Sequence, residues 1–454
     1  MNHSMNRSIN TESFRKTVLK IALPVTLQTL LSSSFSVVDQ LMIGRLGSSS
    51  IAAVGLGGKF ASVYAVLLGA LTMAEGIMIS QYMGSREEKE VSRSFFANLI
   101  LAAALAGIFF ALSVLSPKQI LGIYTKDEET CRIAVSYLCI YAFSYIPAAI
   151  SNVAATLLRC MEAAEFPLYA GIAGAVLNTG LNYLFIFGKG GFPALGVRGA
   201  ALASVASQTV TTAVTLGFFV WYYRKQPLRL SFVWRFCGEQ KKQFMKILCP
   251  LVICEFLWSL GENVYTAIYG NIGTKACAAM TLTIPVQTLA VGALSGLSQA
   301  SGIIIGKDLG AGNYDRAYEK GKKLMLYGLC GSVLLSGALF LAENAYVQIY
   351  EVEPEVQKTA LRILTVFALI SPVKVQNMIL GGGIIRSGGK TSYVMWIDFI
   401  GTWLFGVPLG LVSAFVWKLS IPYVYLFLSM EECVRLLISL WLFRKKVWIK
   451  RISG

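Results

Sequence analysis

Apolar windows of about twenty residues recur along this 454-residue chain, each long enough to cross a bilayer as a helix. Bounded by Gly, charge or Pro, they predict twelve spans near 18–42, 51–82, 94–116, 133–158, 167–187, 197–223, 246–271, 277–306, 322–343, 358–380, 391–416 and 420–443. Composition agrees: 55% of residues are hydrophobic and 14% charged, whereas about a quarter are charged in a soluble domain. The fold class is therefore an all-α polytopic membrane protein with twelve transmembrane helices; disorder, coiled coil and collagen are excluded. The single histidine, His3, lies in a polar tail. It rules out a His triad, an HExxH zinc site and a haem ligand pair, and leaves proton chemistry to carboxylates. Nine cysteines contain no CxxC pair, and Cys139, Cys249, Cys254, Cys330 and Cys433 lie in apolar stretches, so neither a disulfide framework nor a zinc site is expected. The opening MNHSMNRSINTESFRK is polar, so the first apolar segment is expected to be a retained span.

A formal net charge of +16 in such a chain is read by where the cations fall relative to the spans rather than as a nucleic-acid footprint. Alternate loops carry Arg86, Lys89, Arg93, Arg159, Arg224, Lys225, Lys307, Arg386 and Lys390 together with both basic tails, while the opposite segment ENAYVQIYEVEPEVQK is acidic. This bias predicts cytoplasmic termini and basic loops against anionic lipid headgroups.

The chain also repeats itself. KIALPVTLQTLLSSSFSVVDQLMIGRLGSSSIAAVGL, from Lys20, lies without gaps on KILCPLVICEFLWSLGENVYTAIYGNIGTKACAAMTL, from Lys246, pairing Pro24 with Pro250 and Gly44 with Gly270. The same register carries Gly76 onto Gly302 and Gly84 onto Gly310. Chance apolar similarity rarely keeps Pro and Gly aligned so far, and the expectation is two six-helix lobes in parallel orientation, 1–228 and 229–454, joined by the basic stretch YRKQPLRLSFVWRFCGEQKKQFMK. Parallel repeats about an axis along the membrane normal suit a central cavity and alternating access; a receptor or scaffold is the alternative.

Ionisable groups inside spans are functional candidates by default, since hydrocarbon penalises them unless they face a cavity or partner. Gln28, Ser32, Ser36 and Asp39 share one face of the first span, Asn178 and Asn182 one face of the fifth, and Ser204 and Gln208 one face of the sixth. Three such faces would surround a small cation with oxygen ligands, or simply bond neighbouring helices to each other. In the second half Asp39 aligns with Tyr265, and Glu255 and Glu262 share a face of the seventh span. Lys374 and Asp398, in the tenth and eleventh, are read as a neutralising pair or as a site, and Glu432 and Arg435 as a structural pair. Glu255 has no evident local partner, which favours a cation- or proton-binding role. Trp258, Tyr265, Tyr269, Trp396 and Trp403 suit an aromatic wall for organic cations, or ordinary packing. No metal site is expected beyond a possible Na⁺ at Asp39.

The sequence resembles the multidrug and toxic compound extrusion (MATE) family over nearly its whole length. The resemblance rests on ALPVTLQTLL and VVDQLMIGRLG with Pro24 and Asp39, LLRCMEAAEFPLY, NTGLNYLFIFGKGGFPALGVRGAALAS, KDLGAGNYDRAYEKGKK and GIIRSGGKTSY. It implies a two-lobed exporter in the cell (inner) membrane, a monomer without enzymatic activity or bound cofactor. Such an exporter exchanges an H⁺ or Na⁺ gradient for organic cations and drugs. The family's cation site carries over as Asp39, Asn178 and Ser204. Asn182 stands where several relatives have an acid, which leaves Asp39 as the only carboxylate there and favours H⁺ over Na⁺. Glu255, Glu262, Lys374 and Asp398 are expected to form a substrate or second cation site, although Lys374 occupies a helix where relatives place an acid. The related lipid-linked oligosaccharide flippases are the competing reading, and would more often show a cationic cavity.

Overall fold

The structure, a computed structural model, describes residues 2–452 apart from 227, 234, 236, 237 and 351, with side chains from residue 12 onward. Four positions of the basic linker, Glu351 of the acidic segment and the His3 side chain thus lie outside the described residues. Among the described residues the regular structure is entirely helical. Twelve long helices follow the predicted windows: α1 (Asn2–Gly44), α2 (Ser48–Ser85), α3 (Glu88–Leu115), α4 (Glu128–Cys160), α5 (Glu165–Phe187), α6 (Val197–Tyr223), α7 (Gly238–Ile272), α8 (Thr274–Gly310), α9 (Tyr314–Gln348), α10 (Pro354–Ile385), α11 (Thr391–Val416) and α12 (Ile421–Arg444). The first eleven are long and apolar enough to cross a membrane; in α12 Glu431, Glu432 and Arg435 interrupt the apolar run.

The helix ends follow local chemistry. Asp127 caps α4 by accepting the Thr130 N–H at 2.9 Å, and the Thr130 hydrogen bonds hold its carboxyl below the usual aspartate range. Gly188 ends α5 in the left-handed region, φ 66°, where a Cβ would be strained. At the end of α6 the Lys225 ammonium sits 3.6 Å above the Trp221 ring, the combination of cation and aromatic that anchors helices at membrane interfaces.

The chain divides into two compact units, one of Leu27–Ile79 and Glu87–Cys237, the other of Met1–Thr26, Ser80–Arg86 and Gly238–Gly454. Lipid removes the hydrophobic drive between helices, so close packing of small residues carries more of the association. In the second unit the last turns of α2 and α8 cross glycine to backbone: a Cβ on Gly84 would meet the Lys307 carbonyl oxygen, and one on Gly310 the Gln81 carbonyl oxygen. The two contacts are each other's images under the repeat. Gln81 then ties the crossing to the rest of the unit by donating to the Ser387 carbonyl at 2.6 Å and accepting from the Ile452 N–H at 2.7 Å. Half of the apolar window of α10 is buried against 17% of that of α9, which puts α10 in the interior of this unit and α9 at its lipid-facing edge. The core around α10 includes Ile363, Phe367, Val424 and Ile268.

Candidate polar sites in the two repeats

In the unit built from the second part of α1, from Leu27 on, α2 up to Ile79, and α3–α6, the polar faces expected of α1, α5 and α6 converge on a cavity of about 330 Å³. Gln28, Ser32, Ser36 and Asp39 line it from α1, Asn178 from α5, and Ser207, Gln208 and Thr211 from α6. Asp39 Oδ1 accepts a hydrogen bond from Asn182 Nδ2 at 2.8 Å, and Asn182 is 2% exposed, so the bond is shielded from competition. The Asn178 amide lies against both carboxylate oxygens. With its nitrogen turned to Asp39 it donates at 2.9 and 3.0 Å while its oxygen accepts from Ser207 Oγ at 3.2 Å. With its oxygen turned to Asp39 it accepts from Asn182 Nδ2 at 3.0 Å. An ionised carboxylate only accepts and requires the first arrangement; a protonated one has an O–H for the second.

Ser204 stands outside this hydrogen-bonded group: its hydroxyl donates to the Ala200 carbonyl at 3.0 Å, and it lines an adjoining cavity of about 370 Å³. Ser207, closer to Asn178, takes the place in the group that Ser204 had been expected to fill. The adjoining cavity shares Asn152, Asn178, Ser207 and Gln208 with the first and is walled by Tyr64, Tyr141 and Tyr145. Tyr64 donates to the Tyr145 carbonyl at 2.7 Å, which fixes the ring. An aromatic wall exists, then, but in the first repeat. Of the five aromatics singled out in the second, Trp258 and Trp396 are more than half exposed while Tyr265 and Tyr269 are buried, so the five form no common surface.

The second repeat holds a dense charge network instead. Arg386 has Glu255 Oε1 at 3.8 Å and Asp398 Oδ2 at 3.9 Å, and Asp398 also has Arg435 Nη1 at 3.7 Å. The Cys254 thiol donates to Asp398 Oδ2 at 2.8 Å and accepts from Arg386 Nη2 at 3.2 Å. Arg435 faces Glu431 at 3.5 Å and donates to Thr402, while Tyr265 donates to Glu431. Lys374 lies 3.9 Å from Glu432, whose carboxylate accepts from Asn377 Nδ2 at 2.8 Å. Three expectations change accordingly. Glu255 has a partner, Arg386; Lys374 meets Glu432 rather than Asp398; and Arg435 pairs with Glu431 and Asp398 rather than with Glu432. Glu262 is exposed, and its charge acts on Lys374 without an ion pair between them. Among the described residues no group of His, Cys, Asp and Glu is arranged to hold a metal ion, and the eight described cysteines are free.

Three further charged groups, one buried and two partly buried, lie within the helix bundle. Arg159 and Arg386 were counted with loop charges because each ends an apolar run, yet Arg159 lines the Asp39 cavity and donates to Gln28 Oε1 at 3.0 Å. Glu75, in the middle of LTMAEGIMIS, is 0% exposed and neither carboxyl oxygen has a hydrogen-bond partner. The rule that singled out Asp39, an ionisable group inside a span, applies to Glu75 equally well.

Known proteins resemble this arrangement throughout the chain. The MatE family model matches twice, over residues 24–184 and 250–412, beginning at the two prolines that the internal repeat pairs. The "Uncharacterized transporter YisQ" of Bacillus subtilis is 22% identical over 435 residues, 94% of each chain. The "Probable multidrug resistance protein NorM" of Thermotoga maritima is 26% identical over 444 residues, 96% of this chain and 94% of that one. A solved outward-facing multidrug resistance MATE family transporter of the MOP superfamily superposes with a TM-score of 0.87 at 16% identity, covering 95% of each chain, and shares the fold.

Proposed function

The chain belongs to the MatE family, and from that premise we propose that it is an antiporter of the cell (inner) membrane, termini cytoplasmic, that exports organic cations and drugs. It works as a monomer by alternating access between the repeat halves 1–228 and 229–454, with an ion gradient and no bound cofactor. The observation that carries the reading is Asp39 at the wall of a polar cavity, held by Asn178 and Asn182. A carboxylate in such a place binds a cation in one state and must be neutralised in the other.

Protons are the favoured coupling ion. The neighbouring Asn182 adds no second negative charge to Asp39. Affinity for a hard cation such as Na⁺ follows the number of anionic oxygen ligands, so this site suits a proton better. For the second repeat we propose a narrower role than a substrate or cation site: Glu255 and Asp398 hold Arg386, and Lys374 holds Glu432, keeping the charges of that repeat mutually neutralised, while Glu262 stays outside these ion pairs. The test is efflux of a fluorescent organic cation from everted vesicles with a proton gradient or a Na⁺ gradient imposed alone. Efflux driven by the proton gradient is expected; efflux driven only by Na⁺ would refute the choice of ion, and no efflux under either would refute the transporter reading.

A further inference from the structure

Gln28 and Arg159 of the first repeat correspond to Cys254 and Arg386 of the second. Gln28 pairs with Cys254 at the offset that pairs Pro24 with Pro250, and the arginines occupy matching places in LLRC and IIRS. The contacts match too: Arg159 Nη2 donates to Gln28 at 3.0 Å, and Arg386 Nη2 to Cys254 at 3.2 Å. Counting on equally from each arginine, Gly171 takes the place of Asp398. The geometry agrees, since a Cβ on Gly171 would stand 3.7 Å from Gln28 Cγ and Nε2, as Asp398 stands against Cys254. Thr29 takes the place of Glu255.

Both carboxylates that flank the second arginine are therefore missing around the first. Arg159 makes no ion pair among the described residues, and its Nε has no acceptor. The charge of Glu75 acts on Arg159, but neither Glu75 carboxyl oxygen has a hydrogen-bond partner, so it is not closed on the guanidinium. Where Asp398 fills the second repeat, the first opens into the cavity that Gln28, Arg159 and Gly171 line together with Asp39. An arginine in the last turn of a span, turned to a cavity with no carboxylate closed on its guanidinium, keeps donors free for a ligand, and its planar fork matches a carboxylate through two parallel hydrogen bonds.

We propose that Arg159, beside Gln28, binds a carboxylate of the transported molecule, so that the substrate is an organic cation that also carries a carboxylate. Its cationic end is directed toward Asp39, about three turns or 16 Å along α1 from Gln28. The inference rests on the exporter reading and adds the second charge to the substrate.

The experiment uses two dyes that differ in one group, rhodamine 110 with a free carboxylate and rhodamine 123, its methyl ester. Binding to the purified full chain is followed by fluorescence anisotropy and efflux in everted vesicles. In Arg159→Gln, affinity for rhodamine 110 should fall by about tenfold, the scale of a charge-assisted pair, with rhodamine 123 unchanged; Arg159→Lys should recover part of the loss. Gly171→Asp supplies internally the carboxylate that the second repeat has, fits in ordinary contact with Gln28, and should likewise discriminate against rhodamine 110 alone. Equal losses for both dyes, or wild-type protein that binds the ester as tightly as the acid, would overturn the proposal. If neither dye is transported, the exporter reading fails, and the anisotropy ratio still decides whether Arg159 binds a carboxylate.

Discussion

The same hydrogen bond between an arginine and a residue of the first helix of its repeat occurs twice in this molecule, in opposite electrostatic settings. Around Arg386 the chain supplies Glu255 and Asp398; around Arg159 it supplies Gln28, a glycine and open space. At the other end of the first helix the contrast is reversed. Asp39 meets neutral amides at a cavity wall, while its counterpart Tyr265 is buried and donates to Glu431. One repeat keeps its charges for one another, and the other presents one of each sign to a cavity. The two repeats share a backbone plan and differ at a handful of facing positions, so that one is filled by mutually paired charges and the other leaves a cavity.

The largest effect that would sharpen this contrast is on stability. Arg386→Met leaves Glu255 without its counter-charge and Asp398 with Arg435 alone, and should cost about 3 kcal/mol, the low end for a broken buried pair because both carboxylates are partly exposed. Arg159→Met removes no ion pair and should cost roughly 1 kcal/mol, the scale of the one hydrogen bond lost. Thermal unfolding of the purified protein in one detergent measures both, and equal shifts would break the comparison. Tyr265→Phe, which deprives Glu431 of a donor, should cost about 1.5–3 kcal/mol, as for a hydrogen bond to a charged group, while efflux by the folded fraction is retained. Smallest is Glu262→Gln: an exposed side chain with no ion pair should change stability by less than about 0.5 kcal/mol, and a larger loss would make Glu262 a member of the network through Lys374.

Much of this plan is legible in the sequence, for reasons that also explain what is not. The apolar windows locate the helices because hydrocarbon leaves the backbone no other partner; the 197–223 window coincides with α6, whereas α7 begins at Gly238 rather than 246 because Lys241 and Lys242 continue the helix beyond the apolar run. Helical spacing puts Asn178 and Asn182 on one face of α5, but that this face meets Asp39 is seen only once the helices are packed. Pairing within the second repeat is likewise not legible, since the partner of Lys374 or Asp398 depends on how far each helix is rotated. In α10 a wide π-helical turn at Met378–Ile385 also shifts the face of Arg386 relative to that of Lys374. Arg159 and Arg386 illustrate a different limit. A cation at the end of an apolar run looks like a loop charge until the neighbouring helices are in place.

The central claim, that the first repeat couples transport and the second holds itself together, is tested most directly by one comparison. Proton-driven efflux of rhodamine 123 is measured in vesicles carrying equal amounts of wild-type, Asp39→Asn and Glu255→Gln protein. The account predicts that Asp39→Asn abolishes efflux and that Glu255→Gln, which leaves Asp398 beside Arg386, retains it. Efflux that survives in Asp39→Asn and is lost in Glu255→Gln would place coupling in the second repeat and contradict the account.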